Sequence, residues 1–135
     1  MQNTMVKIIH TSGKRKCAIA RATLKPGKGI VRVNNQMIDV VKPELARMKI
    51  QEPISLAGNI SGINLNVNII GGGSMSQAEA ARLAIARALV RYNKKLEKVF
   101  LNYDRHLLVA DVRRKETRKP NCRGKARSKR QKSYR

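Results

Sequence analysis

Residues 63–92 read INLNVNIIGGGSMSQAEAARLAIARALVRY, and the change of period inside this stretch decides the fold. Ile63, Leu65, Val67 and Ile69 alternate with Asn64, Asn66 and Asn68, the pattern of a strand with one face in the core. Over residues 76–92 the period becomes helical. Ala78, Ala81, Ile85, Ala88, Leu89 and Tyr92 form one stripe, expected to face the sheet. Ser76 with Glu79 three residues on reads as a capping box, and the many alanines favour helix and permit close approach. Gly71, Gly72 and Gly73 join the two elements. Strand, glycines and helix N-terminus together can build a phosphate site. The text GGGSMSQ, however, is not GxxxxGK followed by Ser or Thr, and no acid follows about 20 residues later to hold a ribose. A tight turn needing positive φ or close packing explains the glycines, and backbone amides touching an RNA phosphate are a second reading.

Upstream, residues 6–10 read as a first strand and Thr11-Ser12-Gly13 as a turn. Residues 17–24 read as a strand with Ala18, Ala20 and Ala22 on one side. Pro26 to Gly29 is a turn and residues 30–33 a further strand, which Asn34-Asn35 breaks. These two strands are expected to pair as a hairpin carrying Arg21, Lys25, Lys28 and Arg32. Residues 36–41 fit a helical turn or a strand equally. Pro43-Glu44-Leu45 opens a short helix, with Leu45 and Met48 inward, that should end before Pro53. Residues 55–62 read as a loop. Downstream, residues 94–101 form a second helical pattern with Leu96, Val99 and Phe100 inward.

Charge is the positive functional signal. The chain of 135 residues has 30 Lys or Arg against 8 Asp or Glu, a net +22. Half of it lies in residues 113–135, where twelve bases meet only Glu116. Such a segment buries too little apolar surface to order alone and should fold on a polyanion. No apolar run approaches the roughly 20 residues of a spanning helix, and no secretory h-region opens the chain. Cys17 and Cys122 lie far apart with no CxxC and no His cluster, which speaks against a disulfide or zinc and suits a reducing cytoplasm. His10 and His106 pair with no visible nucleophile, and the acids are scattered, so an enzyme is not expected. A nucleotide-dependent enzyme using the Gly71–Gly73 loop and a generic nucleic-acid or membrane-surface binder are the rivals. Aromatics are 3%, which argues against a base-stacking platform and for a structured RNA held by its backbone and shape. In the body, Lys14, Arg15 and Lys16 at a turn and Arg87 and Arg91 on one helix face are the candidate contacts.

The segment from Gly71 to Ala78, with Ala80, Ala84 and Ala86-Arg87-Ala88-Leu89, resembles the signature of the universal small-subunit ribosomal protein numbered nine in bacteria and sixteen in the eukaryotic cytosol. Ser12-Gly13-Lys14-Arg15-Lys16, Asp111-Val112-Arg113 and the closing Gln131-Lys132-Ser133-Tyr134-Arg135 are similar to further family segments, the last to the archaeal and eukaryotic ending. The resemblance implies an α/β (α+β) fold: a small two-layer domain with a mainly antiparallel sheet, helices on one side and a left-handed βαβ crossover. It implies a globular domain over residues 1–112 and an extended tail over 113–135. The implied partners are ribosomal RNA of the small-subunit head, peptidyl-site tRNA and neighbouring head proteins, on cytoplasmic ribosomes, with no cofactor, no membrane and no homo-oligomer. Within the tail, Arg113, Arg114, Lys115, Arg118 and Lys119 would contact RNA, followed by Arg123, Lys125, Arg127, Lys129, Arg130 and Lys132. Ser133, Tyr134 and Arg135 would approach the tRNA anticodon stem-loop. Tyr134 stands where bacterial members usually carry Lys. Twenty-odd extended residues at ~3.3–3.6 Å each span roughly 70–80 Å, enough for that reach.

Overall fold

The computed structural model describes residues 8–58, 60–120 and 126–127. The expected strand at 63–70 is β5 (Ile63–Ile70), numbered in chain order after β1 (Ile9–Arg15), β2 (Ala18–Pro26), β3 (Val31–Val33) and β4 (Gln36–Met37). Three helices complete the architecture: α1 (Glu44–Ala57), α2 (Ser74–Tyr92) and α3 (Leu96–Tyr103). The sheet order is β1-β2-β5-β3-β4. All neighbours are antiparallel except β3 and β5, which run parallel and are joined through β4 and α1 as a βαβ crossover.

One sheet face is covered and the other is open. Ile9, Thr11 and Gly13, then Ala18, Ala20, Ala22 and Leu24, then Ile63, Leu65, Val67 and Ile69 all turn inward. α2 lies across β1, β2 and β5, and α1 packs along α2. With neighbours on several sides, α2 is buried beyond the expected stripe, at Ala80, Leu83, Ala84 and Ala86 as well. Phe100 and Leu107 close the far side of the core.

The contact between α2 and β1 is nearly backbone to backbone. A Cβ on Gly13 would lie 2.2 Å from the Ala80 carbonyl oxygen and 2.8 Å from the Ala84 amide nitrogen. Beside it, the buried Thr11 hydroxyl donates to the Ala84 carbonyl at 2.8 Å. Gly13 is therefore no turn residue. Thr11-Ser12-Gly13 sits inside β1, and the chain reverses just beyond β1 at Lys16-Cys17, where Lys16 has φ 52°.

Other expectations are corrected. The strands β2 and β3 do not pair as a hairpin, because β5 inserts between them. The two-residue turn that does form is Asn34-Asn35 between β3 and β4, with φ 48° and 66°, values Asn tolerates. The Asn34 side chain also accepts from the Ile69 amide, tying that turn to β5. α1 does not stop at Pro53. The ring is buried, and this packing offsets the helical donor it lacks. α1 buries Ala46 and Ile50 instead of Leu45 and Met48, which are exposed. Tyr92 and Val99 are exposed as well. No capping box forms, since Gly73 is the N-cap of α2 and Ser76 falls within its first turn.

Gly13→Ala forces Cβ into helix backbone and is expected to destabilise the chain by about 1–3 kcal/mol or more in urea unfolding. Gly62→Ala, with nothing within 4 Å of the added Cβ, serves as the control, and its shift should stay within about 0.5 kcal/mol.

Candidate nucleic-acid interface

The acids are segregated. None of the eight Asp and Glu residues lies in a strand: Asp39, Glu44, Glu52, Glu79, Glu97, Asp104, Asp111 and Glu116 all belong to the helices or their connecting and C-terminal segments. Most of them hold cations. Glu79 takes Arg15 at 2.6 Å and Lys49 at 3.1 Å; Arg15 reaches on to Asp111 at 2.9 Å. Arg82 bridges Glu52 at 2.5 Å and Asp104 at 2.9 Å, and the Tyr103 hydroxyl donates to Glu52. Of these groups Arg15, Glu79, Arg82, Asp104 and Asp111 border a polar cleft of about 180 Å³, which Lys14, His106 and Arg113 also line. That is smaller than the roughly 300–1,000 Å³ of ligand pockets.

The titration behaviour follows. Partial burial works to raise the Glu79 carboxyl's pKa, but hydrogen bonds from Arg15 and Lys49 outweigh it and hold it below the usual range. Asp104 is likewise lowered, burial being outweighed by the His106 amide and Arg82. Asp111 is held well below the carboxylate range by the side chain and amide of Arg113, with Arg15 adding to the effect.

The candidate contacts in the body divide. Arg15 is enclosed in the ion-pair network, with 17% of its side chain exposed. Arg87 donates to the carbonyls of Ser12 and Leu108, and Arg91 to that of His10 at 2.7 Å. These arginines cap β1, an edge strand, where a further strand would otherwise bond. Lys14 and Lys16 are exposed with no acidic partner among the described residues. In the tail, Arg113 pairs with Asp111 at 2.9 Å yet remains largely exposed. Arg114, Lys115, Arg118 and Lys119 are exposed in a segment without regular secondary structure, and Arg127 pairs with Glu116. Arg123, Lys125, Lys129, Arg130, Lys132, Ser133, Tyr134 and Arg135 lie outside the described residues.

The open sheet face carries cations outside that candidate group. Register places Ser12, Arg21 and Asn68 in one row, His10, Thr23, Asn66, Arg32 and Met37 in the next, and Lys14, Ile19 and Ile70 in another. Lys25 lies opposite Asn64, whose Oδ1 accepts from the Lys28 and Ile30 amides and so shapes the loop before β3. The alternation of β2 was the available signal: once Ala18, Ala20 and Ala22 turn inward, Arg21 and Lys25 turn outward. The glycine triplet has a packing explanation. Gly71 and Gly72 have φ 76° and 72°, and their Cβ positions would meet Cys17 and Ala18.

A small, strongly basic α/β protein with an acid-free, cation-bearing sheet face and a basic terminal segment is thereby defined. Residues 13–135 match the family described as ribosomal protein S9/S16. The small ribosomal subunit protein uS9 of Methanococcus vannielii is 46% identical over 134 residues, covering 96% of this chain and 100% of the relative. Proteins of the same name from two strains of Methanococcus maripaludis match with the same identity and coverage. The chain belongs to the ribosomal protein S9/S16 family, a family of ribosomal proteins and not of enzymes.

With folded-state pKa values of Glu79, Asp104 and Asp111 below their unfolded values, the unfolded chain binds more protons in acid. Their stabilisation is present above about pH 4 and lost as pH falls through the folded values. Thermal midpoints should drop below about pH 4, and Asp111→Asn should make the drop shallower. An Asp111→Asn profile parallel to wild type between about pH 2 and 6 would show that the pair does not act in this way.

Proposed function

We propose that this chain is a structural constituent of the small ribosomal subunit. Its body, residues 1–112, anchors on ribosomal RNA of the subunit head. Its tail, residues 113–135, runs along RNA to the anticodon stem-loop of the peptidyl-site tRNA. Ribosomal RNA, that tRNA and neighbouring head proteins are the partners, on cytoplasmic ribosomes. The observation that carries the reading is the root of the tail. Asp111 is gripped between Arg15 and Arg113, so a segment with twelve bases and one acid leaves the body at an anchored point.

The mechanism is electrostatic and non-catalytic. Each Lys or Arg that neutralises a phosphate releases condensed counterions, which makes affinity steeply salt-dependent. Arginine adds bidentate geometry, and lysine a mobile point charge. A chain too polar to order alone takes its shape from the RNA it follows. At the tip, the Tyr134 hydroxyl or ring would stand in for the ammonium usual in bacterial members, by hydrogen bonding or stacking on a ribose.

Binding to a transcript of the small-subunit RNA head domain should weaken steeply with salt. Deleting residues 113–135 should flatten the slope by about 0.7–0.9 for each phosphate that the tail neutralises. An unchanged slope contradicts phosphate contact by the tail. Deleting only Tyr134 and Arg135 should leave subunit assembly intact and reduce peptidyl-site tRNA retention at low magnesium. Undiminished retention contradicts the role of the tip.

A further inference from the structure

We propose that the open face of the sheet is the surface by which the body docks on RNA, with Lys14, Arg21, Lys25 and Arg32 set against the backbone of an RNA helix. The inference rests on the reading that the body binds small-subunit ribosomal RNA, and it names the surface.

Four observations converge. The opposite face of the sheet is the core, so these outward rows are free of the protein's own helices. No acid occurs in any strand, whereas the helical side holds the ion pairs. Lys14, Arg21, Lys25 and Arg32 are exposed and have no acidic partner among the described residues, while Arg15 and Arg82 are held by carboxylates and Arg87 and Arg91 donate to main-chain carbonyls. Between the cations stand Ser12, Thr23, Asn66 and Asn68, short side chains that both donate and accept.

The geometry suits an RNA helix. From β1 to β3 the face is three strand spacings wide, roughly 14 Å, and Arg21 to Lys25 covers about 13 Å along β2. A-form RNA presents a wide, shallow minor groove bearing 2′-hydroxyls, flanked by phosphates. A broad surface with hydroxyl and amide groups inside and cations around them complements both features. A protein partner of acidic surface would meet the cations equally, but it would leave the row of neutral donors and acceptors without a counterpart.

The test uses the full chain and a transcript of the head domain of small-subunit RNA. Lysine acetylation footprinting should protect Lys14 and Lys25 in the complex and leave Lys94 and Lys98 reactive. The exposed-residue variant Arg21→Ala/Lys25→Ala/Arg32→Ala should keep its thermal midpoint and lower the salt slope by about three, one for each cation. Lys94→Ala/Lys98→Ala should leave the slope unchanged. Specific binding with Lys14 and Lys25 freely acetylated, or with a reduced slope in the Lys94/Lys98 variant instead, overturns the docking face and leaves the proposed function standing. Protection that appears only in assembled subunits, and not with the transcript, assigns the face to a protein neighbour and overturns it too. If wild type binds the transcript no better than an unrelated folded RNA, the proposed function itself fails.

Discussion

The structure depends on how closely α2 can approach β1. At Gly13 there is no room for a side chain, and the helix meets it with the backbone of Ala80 and Ala84, whose own side chains are only methyl groups. Thr11 fixes the register of the contact by donating to the Ala84 carbonyl. At this separation the guanidinium groups of Arg87 and Arg91, farther along the same helix, reach the Ser12 and His10 carbonyls. Arg87 simultaneously holds the Leu108 carbonyl, so the segment leading to the tail is tied to the same helix and strand. Two residues beyond Gly13, Arg15 turns from the strand to Glu79 and Asp111. One backbone approach therefore fixes the edge of the sheet and the exit of the tail together.

The same arrangement sorts charge. Ion pairs on the helical side consume acids and several arginines, and these cations keep the partly buried carboxylates ionised. A single exposed pair contributes little to stability, but linked pairs across α1, α2 and the C-terminal segment share their ordering cost. The strands receive none of the acids. The sheet face and the tail therefore carry unneutralised cations with almost no acid among them, while on the helical side the cations without an acidic partner among the described residues, such as Lys94 and Lys98, stand among the acids. Family membership and this distribution agree without either depending on the other.

Much of the fold was legible because it is encoded locally. The period-two run of β5 and the period of α2 are properties of adjacent residues; β5 spans its whole run, and α2 ends at Tyr92 as expected but begins at Ser74, two residues before the expected start. Non-local facts were not legible. Nothing within residues 17–33 announces that β5 will separate β2 from β3. Thr11-Ser12-Gly13 has turn chemistry, yet the glycine is there for a helix far away in sequence, at Ala80 and Ala84. Glu79 looked like half of a capping box because the sequence does not show Arg15 and Lys49 beside it. For the candidate interface, a basic residue in a sequence does not reveal whether it faces solvent. Arg15, Arg87 and Arg91 stand out by clustering and spacing, yet the fold ties Arg15 to carboxylates and Arg87 and Arg91 to main-chain carbonyls of β1. The expected hairpin already grouped Arg21, Lys25 and Arg32, but it is β5, between β2 and β3, whose register sets them on one face.

The central claim is that a charge-sorted body meets RNA through its sheet and turns its helices away. Site-specific photocrosslinking in assembled small subunits tests it most directly, with a benzoylphenylalanine placed at Asn68 on the open face or at Lys98 on α3. The account predicts that the probe at Asn68 crosslinks to a single locus of small-subunit ribosomal RNA and that the probe at Lys98 yields no RNA crosslink. RNA crosslinks from Lys98 with none from Asn68 would contradict it.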